Sequence, residues 1–351
     1  MKSPSVLTSD RRPSRVTASP IYDLYWQFAT KRQAIFFGRL EGAAPPWTDD
    51  EILQTYRFTN AYRASDRVSQ FLIRDVIYNP AYSAAPDEVA FRVLLFKLFN
   101  KISTWRWLEQ TVGVPTWQSY SFEAYDAALG RASAAGRKIY SAAYIVPPVS
   151  LDSSGVKHRG HLRLIEQMLG GGFTARLQAT DRLQDVFHLV KGYPSLGDFL
   201  AFQLAIDLNY TALIDHDEAS FVVAGPGARD GLAKVFPDAK DFDPVDLMAV
   251  MADRQEAEFK RLELPFRDLY GRRLQPIDCQ NLFCEISKYT RVSHPEVMGL
   301  SGRTRIKQMF RPEGALAAPW YPPKWALNDR IPAYPTAQPV GDLFSRSDET
   351  L

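Results

Sequence analysis

The sequence lacks several features that would point to particular classes of protein. It has only two cysteines, Cys279 and Cys284, too few for a disulfide framework or for a metal or iron–sulfur site built on thiolates. No apolar run is long enough to span a bilayer, and the N-terminus has no apolar signal core. The 42 basic and 40 acidic side chains nearly cancel, so a surface for nucleic acid must be a local patch. We therefore expect a cytoplasmic protein with reduced thiols, no membrane contact and no metal or other cofactor.

The apolar residues that are present predict an all-α protein. They make up 46% of the 351 residues and recur at helical spacing, whereas no segment alternates in the way a strand would. We expect one helical domain over residues 21–328, which ends in an extended arm rich in Pro, Trp and Tyr. A disordered basic tail at 1–20 and a flexible tail at 329–351 are expected to flank it.

A tight turn at residues 193–197 leads into a helix that is apolar nearly all round, which is typical of a buried helix. Gly197 can supply the positive φ that such a turn needs. Asp207 lies in this helix, one turn after Gln203 and one turn before Tyr210. A buried carboxylate must be hydrogen-bonded, protonated or used in chemistry, because an unpaired buried charge is costly.

Residues 56–79 predict a single helix with an apolar stripe on one side. The opposite side is a polar ridge without acidic residues, which indicates either phosphate contacts or a solvated face. The ridge residues are Asn60, Arg63, Arg67, Gln70 and Arg74.

Three other segments hold basic side chains. Asn100 and Lys101 end an apolar helix, and Lys138 lies in a glycine turn that we expect to enter a helix of small residues. The run at 302–308 begins with glycine and suits backbone phosphates. Its basic residues are Arg303, Arg305 and Lys307.

Amide and carboxylate side chains cluster on the helix predicted after Pro276. Such groups can read a base edge through paired donors and acceptors, or they can cap helices and bond between them. The residues are Asp278, Gln280, Asn281 and Glu285. His158 and His161 have no third ligand nearby, so we assign them a structural or surface role.

Seven segments, spread over residues 21–328, together resemble one family. They read YRFTNAYRASDRVSQFLIRDVIY, FRVLLFKLFNK, GRKIYSAAYIVP, FLAFQLAIDLNY, FVVAGPGA, LQPIDCQNLFCEISKYTRVSHPE and GRTRIKQMF. They look like the 5-hydroxymethyl-deoxyuridine DNA kinase helical domain, whose members are also called α-glutamyl/putrescinyl thymine pyrophosphorylases. This family is regarded as a divergent helix-hairpin-helix DNA glycosylase fold, although Ser195 stands where such hairpins usually have glycine.

The resemblance implies an enzyme that flips a hypermodified pyrimidine out of double-stranded phage DNA and excises it, in antiphage defence. Asp207 is the first choice for the catalytic carboxylate, with Gln203 and Tyr210 beside it, and Glu218 or Asp217 as alternatives. We expect base removal without strand cleavage, by a monomer. The implied base pocket comprises Asn60, Asn209, Asp278, Gln280, Asn281 and Glu285. The implied DNA-binding residues are Arg57, Arg63, Arg67, Asn100, Lys101, Lys138, Gly197, Arg303, Arg305 and Lys307.

Two other functions remain open. The first is a transferase that displaces pyrophosphate from an activated hydroxymethylpyrimidine in DNA and attaches an amine. The second is a DNA-binding module without catalysis. The kinase in the family label is not carried over, because these 351 residues contain no G-x-x-x-x-G-K-[ST] loop.

Overall fold

Apolar residues spaced every three or four positions fold into thirteen α-helices in the part of the chain that the structure describes. The structure is a computed structural model that describes residues 16–142, 144–311, 314 and 316–335. The helices are α1 (Ile21–Leu40), α2 (Glu51–Thr55), α3 (Arg67–Phe71), α4 (Pro86–Phe99), α5 (Ile102–Val112), α6 (Phe122–Ala134), α7 (Lys157–Gly170), α8 (Phe173–Gln178), α9 (Leu183–Lys191), α10 (Asp198–Asn209), α11 (Pro226–Val235), α12 (Pro244–Arg261) and α13 (Pro276–Ser293).

The all-α prediction is confirmed for the described residues, which contain no strand and only two isolated bridges, Tyr56 with Met309 and Leu269 with Arg272. None of their helices has both the length and the apolarity that crossing a membrane requires. Residues 1–15 and 336–351, which include most of both predicted tails, lie outside the described residues.

The chain divides into two compact units, each built from segments that are distant in sequence. The first unit holds the described residues of Met1–Asp66, Glu218–Pro319 and Ala326–Arg346. The second unit holds Arg67–Asp217 and Trp320–Trp325. The single domain over residues 21–328 stays a prediction.

In the first unit, α13 is the central helix, and α1, α11 and α12 pack against it. The approach of α11 is close enough that a Cβ on Gly231 would lie 2.0 Å from the carbonyl oxygen of Phe283. Only glycine therefore fits at that crossing. The ring of Tyr25 on α1 lies 4.8 Å from that of Phe283, so aromatic packing joins α1 to α13.

In the second unit, α4 is almost wholly buried and packs against α7 and α10. Helices α9 and α10 form the predicted hairpin, but its positive φ lies at Ser195 (φ 62°) and not at Gly197 (φ −70°). Gly197 instead precedes α10 with extended backbone. The Ser195 hydroxyl donates a hydrogen bond to the carbonyl of Pro148 at 2.8 Å, which helps to hold the turn.

The single helix predicted over residues 56–79 is wrong in its first half. The chain is irregular through Asn60, makes a 3₁₀ turn at Arg63–Ser65, and becomes helical only at α3, which continues as a π-helical turn at Leu72–Ile77. The Asn60 side chain donates to the carbonyl of Ser65 at 2.7 Å, and Asp66 Oδ1 accepts from the Asn60 amide at 2.7 Å. These side-chain bonds compete with helical backbone bonds, which the periodicity of the sequence does not reveal.

The helix predicted to follow Gly136 is also absent among the described residues there. Gly136 takes φ 75° after the end of α6, and the chain then runs irregularly toward α7. The Ser141 amide donates to the carbonyl of Phe99 at 2.9 Å, so the backbone bonds to the end of α4 instead of to its own next turn.

The arm predicted from the Pro-, Trp- and Tyr-rich sequence is present over residues 316–335, with short 3₁₀ turns at Pro323–Trp325 and Asn328–Arg330. In the second unit, Trp320 exchanges two hydrogen bonds with the Gln70 side chain, at 2.9 and 3.1 Å. In the first unit, the hydroxyls of Tyr334 and Tyr270 lie 2.8 Å apart.

Candidate active site

The second unit buries an ion pair between two of its central helices. Lys97 on α4 and Asp207 on α10 approach to 2.6 Å between Nζ and Oδ2, with side chains 6% and 2% exposed. Most other buried side chains of both helices are apolar, as expected of helices that fill the core on several sides. Either charge alone would be costly there, so the pair stabilises both.

Two half-buried aromatic rings lie next to this pair. The Lys97 ammonium stands 4.7 Å from the centre of the Tyr144 ring, and Tyr144 stacks on Phe199 with 5.9 Å between centroids and 7° between planes. The Tyr144 hydroxyl donates to Gln203 Oε1 at 3.4 Å. We refer to Lys97, Tyr144, Phe199, Gln203 and Asp207 as the Asp207 cluster.

The Asp207 cluster has the components of a site that stabilises positive charge on a planar substrate. A carboxylate in an apolar core acts at low dielectric, where its effect on a developing cation is strongest. Stacked aromatic rings at the surface can hold a base by its face. The sequence predicts Asp207 and Gln203 as site residues, whereas Lys97 and Tyr144 emerge only from the structure. The signal for Lys97 is a single lysine inside the apolar run 93–99.

Tyr210 and Asn209 end α10 and have partners of their own. The Tyr210 carbonyl accepts a hydrogen bond from Tyr78 at 2.9 Å, and its ring packs edge-on against Trp325. The Asn209 side chain donates a hydrogen bond to the carbonyl of His216 at 2.9 Å and accepts one from the backbone amide of His216 at 3.0 Å. These two bonds close the loop after the helix. Their places in the catalytic group and the base pocket stay predictions.

The alternative carboxylate Glu218 belongs to the first unit, where Arg272 Nη2 lies 3.1 Å from its Oε2. The residue is 6% exposed, and its Oε1 has no hydrogen-bond partner among the described residues. Asp217, the other alternative, is exposed. Of the three candidate carboxylates, Asp207 and Glu218 are therefore buried and Asp217 is exposed.

The predicted base-pocket residues on α13 meet the irregular segment before α3. Asn281 Nδ2 donates to Thr59 Oγ1 at 3.0 Å and to the Asn60 carbonyl at 3.3 Å. Glu285 accepts from the Thr59 amide at 3.2 Å and pairs with Lys288 at 2.7 Å. In these contacts the side chains bond within the chain, which is the alternative that the sequence left open.

Asp278 and Gln280 lie on the same helix. Asp278 accepts from the Gln275 amide at 2.9 Å, as part of a capping box, and from the buried Arg63 amide at 2.8 Å. Burial raises the pKa of Asp278 to about 6. Gln280 donates to Cys284 Sγ at 3.2 Å. Burial likewise raises the pKa of Asp66, in the segment that α13 meets, to about 7.

The first unit brings together the basic run at 302–308 and Arg57. The Arg57 amide donates to the carbonyl of Gln308 at 3.0 Å, beside the bridge between Tyr56 and Met309. The four side chains are exposed, which makes them accessible to a polyanion. They are Arg57, Arg303, Arg305 and Lys307, and we call them the basic strip.

The remaining DNA-binding candidates differ in exposure. In the second unit, Lys101 Nζ donates to the carbonyl of Lys138 at 2.6 Å, so these two lysines lie together. Arg67 and Gly197 are also exposed. Asn100 is buried with φ 49° at the end of α4, and Arg63 in the first unit is 5% exposed. The helical ridge that was predicted to present Arg63 and Arg67 together is therefore not formed.

Comparison with known proteins supplies a family. The model of the 5-hmdU DNA kinase helical domain matches residues 19–299. The protein named 5-hmdU DNA kinase from Bacillus phage SP10 is 25% identical over 294 residues, which are 78% of this chain and 45% of that protein. The chain thus spans less than half the length of this relative. No solved structure matches the chain.

Proposed function

The chain belongs to the 5-hmdU DNA kinase helical-domain family, and from this premise we propose that it acts on a modified pyrimidine in double-stranded DNA. We propose that the reaction is hydrolysis of the N-glycosidic bond, which leaves an abasic site in phage DNA as a means of defence. The observation that carries this proposal is the buried Lys97–Asp207 pair beneath the Tyr144–Phe199 stack.

The hairpin of α9 and α10 supports the assignment of Asp207. In a helix-hairpin-helix glycosylase fold the hairpin grips the DNA backbone, and the positive φ of Ser195 gives this turn the conformation that glycine usually adopts there. Asp207 lies on the helix that leaves the hairpin. A glycosylase-like fold remains part of this proposal.

The proposed mechanism begins when the target nucleotide leaves the duplex. Its base stacks against the Tyr144–Phe199 pair, and Gln203 bonds to a base edge. Because Asp207 is 1% exposed, the side chains that cover it have to move for the sugar to approach the carboxylate. As the C1′–N bond breaks, its electron pair goes to the base, and the Asp207 carboxylate stabilises the sugar cation. Water then adds to C1′ and loses a proton, while the base gains one.

Lys97 limits the chemistry that Asp207 performs. The ammonium at 2.6 Å favours a charged carboxylate, which suits electrostatic stabilisation better than proton donation. The proposal therefore gives Asp207 the role of a fixed negative charge.

The test uses duplexes that contain 5-hydroxymethyluracil, together with several naturally modified phage DNAs. Free base and alkali-labile abasic sites are measured under single turnover. Asp207→Asn is expected to lower the rate about 10²–10³-fold, because one preorganised charge is worth roughly 3–4 kcal/mol in the transition state. DNA binding should persist.

The chain offers a matched control. Asp198, at the start of the same helix, also pairs with a lysine at 2.6 Å, but both side chains of that pair are 44% exposed. Asp198→Asn should keep the wild-type rate. Incorporation of a labelled amine without free base would favour the transferase, and binding with neither product would favour a non-catalytic module.

A further inference from the structure

An exposed apolar loop follows α13 in the first unit. Of the eight large apolar side chains that are exposed in the described residues, four lie between positions 292 and 309. Leu300 is 74% exposed and Met298 is 60% exposed, on either side of Gly299. Single exposed apolar residues are ordinary, but two large ones at one loop tip mark a contact surface.

The base of this loop is fixed to the buried residue Asp230 on α11. Asp230 Oδ1 accepts from the Ser301 amide at 2.6 Å, and its Oδ2 accepts from the Ser287 hydroxyl. A Cβ at Gly299 would lie 2.4 Å from Asp230 Oδ1, so the backbone rests directly on the carboxylate. The loop is thus held in place while Met298 and Leu300 stay in water, which reduces the entropic cost of using them in a contact.

The chain that continues from this loop is basic. Residues 297–311 contain four basic and no acidic side chains, and three of these basic residues belong to the basic strip. Met298 and Leu300 therefore lie next to a cationic surface. This combination suits a partner that has a polyanionic exterior and an apolar interior. Stacked bases behind a phosphate backbone have that composition.

We infer that Met298 and Leu300 form a wedge that enters the base stack of duplex DNA while the basic strip holds the adjacent phosphates. The inference rests on the proposed function in that both engage duplex DNA, and a wedge that unstacks bases lowers the cost of flipping a nucleotide. It is independent of Asp207, since unstacking does not require cleavage.

The test measures unstacking and base release separately. A duplex with 2-aminopurine beside 5-hydroxymethyluracil reports unstacking as a rise in fluorescence when the full chain binds. The double variant Met298→Ala/Leu300→Ala should lose most of this rise and keep the salt dependence of binding. Val114→Ala, which removes another exposed apolar side chain (48% exposed), should behave as wild type.

The outcomes separate the two proposals. A wild-type fluorescence rise in the double variant overturns the wedge, whether or not base is released. A rise that requires Met298 and Leu300, without any base release, supports the wedge and contradicts the glycosylase. Anionic phosphatidylserine vesicles are the second probe: binding to them that requires Leu300, with no unstacking of DNA, would mean that the loop contacts a membrane surface and would overturn the inference.

Discussion

Replacement of Lys97 by methionine tests whether the Asp207 cluster holds its charge as the structure indicates. Methionine keeps most of the side-chain volume but removes the ammonium that pairs with the Asp207 carboxylate, a side chain that is 2% exposed. The cation–π contact with Tyr144 is lost in the same step.

The expected cost follows from burial. Removal of one partner of a buried ion pair costs about 3–5 kcal/mol of the free energy of unfolding, because the remaining charge stays desolvated. The exposed Lys191–Asp198 pair has the same 2.6 Å separation and supplies the comparison. Breaking it with Lys191→Met should cost only about 0–1 kcal/mol. The double variant Lys97→Met/Asp207→Asn should recover most of the loss, since neither charge of this pair remains in the core.

Urea unfolding is measured for the wild type, the two single-lysine variants and the double variant. The differences in stability should appear as shifts of the urea midpoint, with the same dependence of the free energy of unfolding on urea concentration. Amide hydrogen exchange in α4 and α10 reports on the second unit itself. A loss below about 1 kcal/mol for Lys97→Met, equal to that of Lys191→Met, would refute a desolvated pair. A double variant no more stable than Lys97→Met would show that packing around the lysine, and not its charge, accounts for the loss.

Three other predictions concern other parts of the chain. Burial raises the pKa of Asp66 from 3.8 to about 7, so its contribution to stability is present below pH 4 and is lost as the pH rises through 7. Between pH 5 and pH 8, Asp66→Asn should remove about 3 kcal/mol of the pH dependence of the free energy of unfolding, and an equal change of urea midpoint in variant and wild type would contradict it. Arg303→Ala/Arg305→Ala should reduce the slope of log K against log salt for DNA by about 2, whereas Arg131→Ala, at an exposed arginine on α6, should not change it. Ser195→Val should cost about 2 kcal/mol at φ 62° and Ser195→Gly close to nothing, and equal thermal midpoints of the two variants would argue against strain at that turn.

Local signals in the sequence predicted much of the fold. The helical spacing of the apolar residues predicts the all-α fold that is observed, and the apolar stretch after the turn at residues 193–197 forms the buried helix α10. Residues 56–66 were predicted wrongly because Asn60 and Asp66 bond to backbone that a helix would use. The outcome at residues 56–66 depended on side-chain to backbone bonds within a few residues, which periodicity alone does not detect.

The candidate site was less predictable because its contacts are distant in sequence. Asp207 attracted attention as a carboxylate on an apolar helix, but its partner Lys97 lies on another helix far back in the chain. Tyr144 was expected on a helix and lies instead in an irregular segment, where it reaches Phe199. Neither contact has a spacing that a linear pattern could reveal.

The division of the chain into interleaved segments has a consequence for its synthesis. The second unit is nearly complete at Asp217, yet its last described segment, Trp320–Trp325, leaves the ribosome roughly 100 residues later. At about 5–20 residues per second this delay is about 5 to 20 s. Until then Tyr78 and Tyr210 lack the rings of Trp320 and Trp325 that pack on them in the finished protein. A nascent chain stalled between these points would therefore expose an aromatic surface, and we expect chaperones to engage it there.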